Sequence, residues 1–244
     1  MFATSLAAVR SIATYIAILA YIAVAGPLAL VFGAVFRWKR GMYLLGHGGV
    51  GLALGLAGIR YRVTGLEHLP DSAVVFCSNH ESHVDPPVLF RALHPQLHIL
   101  YKAELHKFPV MGTVFDVGGF VPIDRGDRQK AFAGIDRGAA SLRAGNSFLI
   151  FPEGTRSRTG ALLPFKKGGL IMATQAQVPI VPVAISGGRA AMHKGSAIVR
   201  PVRISIRVGA PISTAGVTPA QRDEIIGRVR AEVQRLLDEG SLWT

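Results

Sequence analysis

His80 and Asp85, in the run Asn79-His80-Glu81-Ser82-His83-Val84-Asp85, are the residues whose types and spacing point most directly to chemistry. Histidine has its ordinary pKa nearest neutrality, so its ring can take a proton from a hydroxyl and give it back. A carboxylate on the second ring nitrogen fixes the tautomer and stabilises the imidazolium. No serine or cysteine in a nucleophile-elbow pattern accompanies the pair, so the base would act on a substrate hydroxyl. His83 is a rival base, but it lacks a carboxylate at the matching offset. The spacing also has a structural reading, in which Asp85-Pro86-Pro87 starts a helix with proline at the first helical position.

Five more blocks follow in order. They are Lys102-Ala103-Glu104-Leu105, Phe108-Pro109-Val110-Met111-Gly112, Val121-Pro122-Ile123-Asp124-Arg125, Phe151-Pro152-Glu153-Gly154-Thr155-Arg156-Ser157 and Val178-Pro179-Ile180-Val181-Pro182-Val183-Ala184-Ile185. With the His-x4-Asp run, they resemble the glycerolipid acyltransferase family over about residues 60 to 210. The nearest branch is the 1-acyl-sn-glycerol-3-phosphate acyltransferases, which make phosphatidic acid.

The resemblance implies that a fatty acyl group moves from acyl-CoA or acyl-carrier protein to the sn-2 hydroxyl of lysophosphatidic acid. His80 would be the base and Asp85 its orienter. Arg156 and Arg125 match positions to which the family assigns acceptor binding, and Lys102 is a third candidate cation. Guanidinium groups suit that task because they offer forked donors to anionic oxygens. Glu153 and Thr155 share the Arg156 block, and Glu153 is expected to bond within the acceptor site or to tether a basic neighbour. Gly154 permits a close backbone approach, and a backbone N–H there or beside His80 is a candidate oxyanion donor. Asp124 is expected to pair with a neighbouring cation. Lys166 and Lys167 either contact donor phosphates or face solvent.

No cofactor and no metal are expected, because no Cys/His cluster, dinucleotide fingerprint or P-loop occurs. Two other readings remain open. One keeps the chemistry with another lysophospholipid or an amino-acid-based lyso-lipid as acceptor. The other is a non-catalytic lipid-binding relative.

Half of the 244 residues are hydrophobic and only 17% are charged, a balance that suits a membrane-attached protein. The formal charge of +12 suits anionic headgroups or phosphorylated substrates. Nucleic acid is not expected as a partner, since the basic residues form no long block and no recognition motif. Cys77 is the single cysteine, so no intramolecular disulfide can form, and it sits in an apolar run that reads as core.

The elements that must position these residues read as an α/β fold, a mixed, mostly parallel sheet flanked by helices. Either the first of two uncharged runs spans the bilayer and the second lies shallow, or both dip into one leaflet. The resemblance implies the latter, an N-terminal two-helix membrane anchor over residues 1–59 before a catalytic domain over 60–244. Ser11 to Phe36 holds no charge and, as a helix, would extend about 39 Å, enough to cross a bilayer core of about 30 Å. Pro27 predicts a kink. The second uncharged run, Gly41 to Ile59, carries seven glycines and is a poorer helix. The flanking Arg37, Lys39 and Arg40 place the catalytic part at the cytoplasmic face, of the inner membrane if the chain is bacterial.

Apolar runs and alternation predict strands at residues 60–65, 73–78, 98–102, 118–123, 147–151, 180–185 and 202–208. Helices are predicted from Asp85 to about Ala92, over 130–144 before Gly145, and over 170–177. Thr218-Pro219-Ala220-Gln221 reads as a capping box opening a last helix, with Ile225, Val229, Val233, Leu236 and Leu237 on one face.

Overall fold

The computed structural model describes residues 2–107, 109–124, 126–192 and 196–243. Within them the strands are β1 (Arg60–Thr64), β2 (Val75–Ser78), β3 (Leu97–Lys102), β4 (Val121–Ile123), β5 (Ser147–Ile150), β6 (Ile180–Ser186) and β7 (Arg203–Val208). They form one sheet of order β1-β7-β6-β2-β5-β3-β4. Every neighbouring pair is parallel except β6 with β7. β2 and β5 are buried at every position, which is why they read as unbroken apolar runs. β1 closes one edge and alternates between exposed and half-buried.

Side-chain alternation along the strands feeds two apolar layers. Val74 and Phe76 face Val88 and Leu89 of α3 (Asp85–Leu93), together with Leu54 and Ala57 near the domain's amino end. Val75 and Cys77 face the opposite layer. That layer is covered by Ile135 of α5 (Arg128–Arg143), Leu170 of α6 (Gly168–Ala176) and Val229 of α7 (Arg222–Asp238). Burial pushes the Cys77 thiol up, as expected of a core residue. The capping box at Thr218 and Gln221 closes a short 3-10 turn, and α7 follows it directly.

Two expectations are corrected. Residues 118–120 do not begin a strand: Gly118 ends the helix α4 (Pro109–Gly118), and Gly119 turns the chain at φ +77° into β4. The expected two-helix membrane anchor is cut back to one candidate membrane helix. Helix α1 (Phe2–Leu30) runs through Pro27 and ends in a π-helical turn, Val31–Val35. Among the described residues, Ser5–Val35 is the one stretch long and apolar enough to cross a membrane. Its partner α2 (Lys39–Ala57) is helical but does not meet that measure.

The glycines of α2 have a packing role. A Cβ on Gly48 or Gly49 would lie 2.8 Å from Tyr21 of α1, whose hydroxyl donates to the Leu45 carbonyl at 2.8 Å. Small residues thus let the two helices meet, at the cost of helix propensity.

Parallel strands share a direction, so the carboxyl ends of β2, β3, β4, β5 and β6 lie along one edge of the sheet. That edge is where open α/β sheets place ligand sites. Asn79 ties two of these ends together. Its side-chain amide donates to the Ile185 carbonyl and accepts from the Ile185 N–H, both at 2.8 Å and both buried. Asn79→Ala leaves two buried main-chain groups unpaired, and the expected loss of unfolding free energy is about 2–4 kcal/mol. Urea unfolding followed by tryptophan fluorescence checks it; an unchanged midpoint would contradict this account of the joint.

Candidate active site

Three turns leave the carboxyl edge beside one another: residues 79–84 after β2, 151–157 after β5 and 187–190 after β6. The first carries His80 and Asp85. The His80 Nδ1 lies 2.9 Å from Asp85 Oδ2. The same oxygen accepts the backbone N–H groups of Glu81 and Ser82, each at 2.7 Å. Asp85 is fully buried and its Oδ1 has no hydrogen-bond partner among the described residues. A carboxylate removed from water costs several kcal/mol. Three bonds to the charged group, at about 1.5–3 kcal/mol each, offset it.

Both sequence readings of Asp85 hold together. It does open α3, and the two prolines after it have no N–H to compete for the carboxylate. The side chain therefore reaches backward to the loop and the histidine. The geometry places the ring proton on Nδ1, leaving Nε2 bare as an acceptor. Phe151 stacks on the ring, with centroids 4.3 Å apart.

The second turn grips the main chain of the same histidine. Glu153 Oε1 accepts the His80 N–H at 2.6 Å, and Oε2 accepts the Leu163 N–H at 3.0 Å. The Ser157 N–H donates to the His80 carbonyl at 2.7 Å. Burial raises the Glu153 pKa, opposed by the N–H groups of Leu163 and His80. Glu153 is thus bonded to the His80 backbone rather than to a basic side chain. Gly154 stands at φ +68°, and a Cβ there would press on Lys166.

The candidate oxyanion donors are corrected. The Gly154 N–H is bonded to the Phe151 carbonyl and the His80 N–H to Glu153, while those of Glu81 and Ser82 serve Asp85.

A cleft of about 710 Å³ is lined by Glu81, Arg156, Ser157, Arg158, Arg189 and Met192, of which Glu81 follows His80 in the chain and Ser157 bonds its carbonyl. Its walls carry three guanidinium groups against one carboxylate, which suits an anion. Arg156 lines this cleft and precedes Ser157, whose N–H meets the His80 carbonyl. Thr155 is exposed on the same turn. Lys102 stands at the same sheet edge but two strands away from β2, ion-paired with Glu104 at 2.9 Å on the surface. Arg125 lies outside the described residues. Asp124 accepts the Gly126 and Asp127 N–H groups and lies 4.0 Å from Lys130. Lys167 pairs with Asp223 at 2.7 Å.

His83 is exposed and no carboxylate bonds it among the described residues. Shielding by its neighbours, then the charges of Arg156 and His80, hold its pKa below the ordinary histidine range. Arg189 and Glu81 were missed in the sequence. The available signal was Gly187-Gly188-Arg189 directly after a buried strand, at the edge where the other two turns end.

A parallel-centred α/β sheet with a carboxylate-held histidine and an arginine cleft at its carboxyl edge defines a protein equipped to deprotonate a hydroxyl next to an anion. The chain belongs to the acyltransferase family, whose profile matches residues 60–186. The 1-acyl-sn-glycerol-3-phosphate acyltransferase of Limnanthes douglasii is 34% identical over 184 residues, 75% of this chain and 65% of that protein. The enzyme of that name from Saccharomyces cerevisiae is 31% identical over 187 residues, 75% of this chain and 62% of that one. The mouse enzyme, alpha form, is 33% identical over 187 residues, covering 75% and 66%. The chain thus spans about two thirds, or slightly less, of the length of these relatives. The crystal structure of the 1-acyl-sn-glycerophosphate (LPA) acyltransferase PlsC from Thermotoga maritima superposes with a TM-score of 0.79. That match has 24% identity and covers 96% of this chain and 97% of that one, and it bears on the fold.

The tautomer is open to direct measurement. Asp85→Asn removes the negative charge that favours the proton on Nδ1, so the ring proton is expected to shift toward Nε2. Nitrogen-15 shifts of the His80 ring report it. Identical ring spectra in the two proteins would contradict the assigned role of Asp85.

Proposed function

We propose that this protein is a membrane-bound O-acyltransferase that makes phosphatidic acid. It would move a fatty acyl group from acyl-CoA or acyl-carrier protein to the sn-2 hydroxyl of 1-acyl-sn-glycerol-3-phosphate. The observation that carries the reading is the His80–Asp85 pair, 2.9 Å apart, beside a cleft walled by Arg156. The names of the relatives supply the acceptor.

In this reading His80 Nε2 takes the sn-2 hydroxyl proton as the oxygen attacks the thioester carbonyl. Asp85 steadies the imidazolium that results. The tetrahedral intermediate expels the thiolate as the C–S bond breaks, and the imidazolium returns its proton to that sulfur. The products are the ester and the free thiol, and His80 ends neutral. Arg156 holds the acceptor phosphate, and Glu153 and Gly154 shape the turn that carries it. Thr155 lies on that turn, Lys102 is a further cation at the same edge, and Arg125 is carried as an acceptor-binding cation on its match to the family motif alone.

We propose residues 1–59 as the anchor and residues 60–244 as the catalytic domain. Leu6, Ile12, Ile16, Leu19 and Val24 of α1 are each more than half exposed, a surface that suits lipid better than water. Arg37, Lys39 and Arg40 at its far end favour the cytoplasmic side, with the catalytic domain there as well.

Thiol release from oleoyl-CoA is expected to depend on lysophosphatidic acid, and to fall about 10²–10⁴-fold in His80→Ala. His83→Ala should not share that loss. Release with a different lysolipid only would overturn the acceptor, and undiminished turnover in His80→Ala would overturn the mechanism.

A further inference from the structure

The turn after β6 is built around two groups that the catalytic reading leaves unused. Glu81 Oε1 accepts the Gly188 N–H at 2.7 Å and the Arg189 N–H at 3.2 Å. Its carboxylate therefore points into that turn, and burial, with the nearby charge of Asp85, raises its pKa. Gly188 is packed against the catalytic carboxylate, and a Cβ there would stand 2.6 Å from Asp85 Oδ1. Gly187, at φ +94°, would drive a Cβ into the Arg203 carbonyl, so both glycines are required for this path.

The turn delivers Arg189 to the cleft that Arg156 also lines. Its Nη1 donates to the carbonyls of Thr159 and, at 3.4 Å, Arg158, which braces the turns after β5 and β6 across the opening. These two bonds use one of the three guanidinium nitrogens.

Charge decides what such a cleft prefers. Three guanidiniums against one inward-turned carboxylate leave a net charge of about two positive units on the lining. A phosphate monoester carries about −1.5 to −2 at neutral pH. A phosphodiester carries only a single negative charge, and a choline headgroup cancels even that.

We propose that Arg189, held in place by Glu81, is the specificity-determining residue that selects phosphate-monoester acceptors over phosphodiester ones. This rests on the reading of the cleft as the acceptor headgroup site. Glu81 is a positioning residue: it acts through the turn and does not touch the anion. Arg189 lies 33 residues from Arg156 in the chain, and only the sheet order brings the two to one opening.

The test is equilibrium binding, so that it does not depend on turnover. The probe is an acyl-propanediol phosphate, which lacks the sn-2 hydroxyl and cannot be acylated; its methyl phosphodiester is the comparison. Both are titrated calorimetrically into the full chain in detergent micelles. The readout is the ratio of the two affinities, since a general loss of structure lowers both alike.

Wild type should favour the monoester. Arg189→Ala should reduce that ratio about tenfold or more, the worth of a charge-assisted pair, with Arg189→Lys in between. Glu81→Ala frees the Gly188 and Arg189 N–H groups, so adding Arg189→Ala should change the ratio less in that background than in wild type, because the two act as one unit. A ratio unchanged in Arg189→Ala, or a wild type that does not favour the monoester, overturns the proposal. A wild type that binds the monoester through Arg189 yet acylates no lysolipid overturns the acyltransferase reading and leaves this inference standing.

Discussion

One buried carboxylate oxygen organises the centre of this molecule. Asp85 Oδ2 receives the imidazole Nδ1 and two successive backbone N–H groups, and it is shut away from water while doing so. A charge in that position is tolerable only if its donors are fixed, and fixing them fixes the loop. The ring is then held in one tautomer and one orientation with Nε2 directed outward. What looks like a catalytic arrangement is also the solution to a desolvation problem.

The surrounding turns are arranged to protect that solution. Glu153 and Ser157 take both main-chain groups of His80, Asn79 joins the end of β2 to β6, and Gly188 leaves room for Asp85 Oδ1. All of these contacts cross between strands that are distant in sequence. They meet because β2 lies between β5 and β6, so that three successive carboxyl ends open at one place. The arginine cleft arises from the same order. The His80 loop and the arginine cleft are therefore joined by backbone bonds, through Glu153 and Ser157 on one side and Glu81 on the other.

Much of this was legible in the sequence, for physical reasons. Buried parallel strands must be apolar throughout, so β2, β5 and β6 announced themselves, as did the amphipathic α5 and α7. His80, Asp85 and Arg156 were legible because the chemistry restricts residue type and spacing within single turns. Helix α4 was missed because its glycines and β-branched residues oppose a helix locally. Tertiary contacts, such as Phe115 on Tyr101 and Val117 against Gly33, hold it in place. The glycines of α2 misled in the opposite sense, toward a weak helix, because their purpose is contact with Tyr21. Glu81 and Arg189 could not be paired from sequence, since their bond spans 108 positions. The availability of Gly154 and His80 N–H groups as oxyanion donors was equally invisible, being a matter of which bonds were already made.

In the proposed mechanism His80 acts on the acceptor hydroxyl directly, with no acyl group passing through the protein. Rapid mixing of the full chain with radiolabelled acyl-CoA, quenched at successive times without any acceptor, tests it most directly. Direct transfer gives no thiol release above the slow hydrolytic background and no label on the denatured protein, with release beginning only when lysophosphatidic acid is added. A stoichiometric burst of thiol before the acceptor arrives, with label retained on the protein, would contradict it.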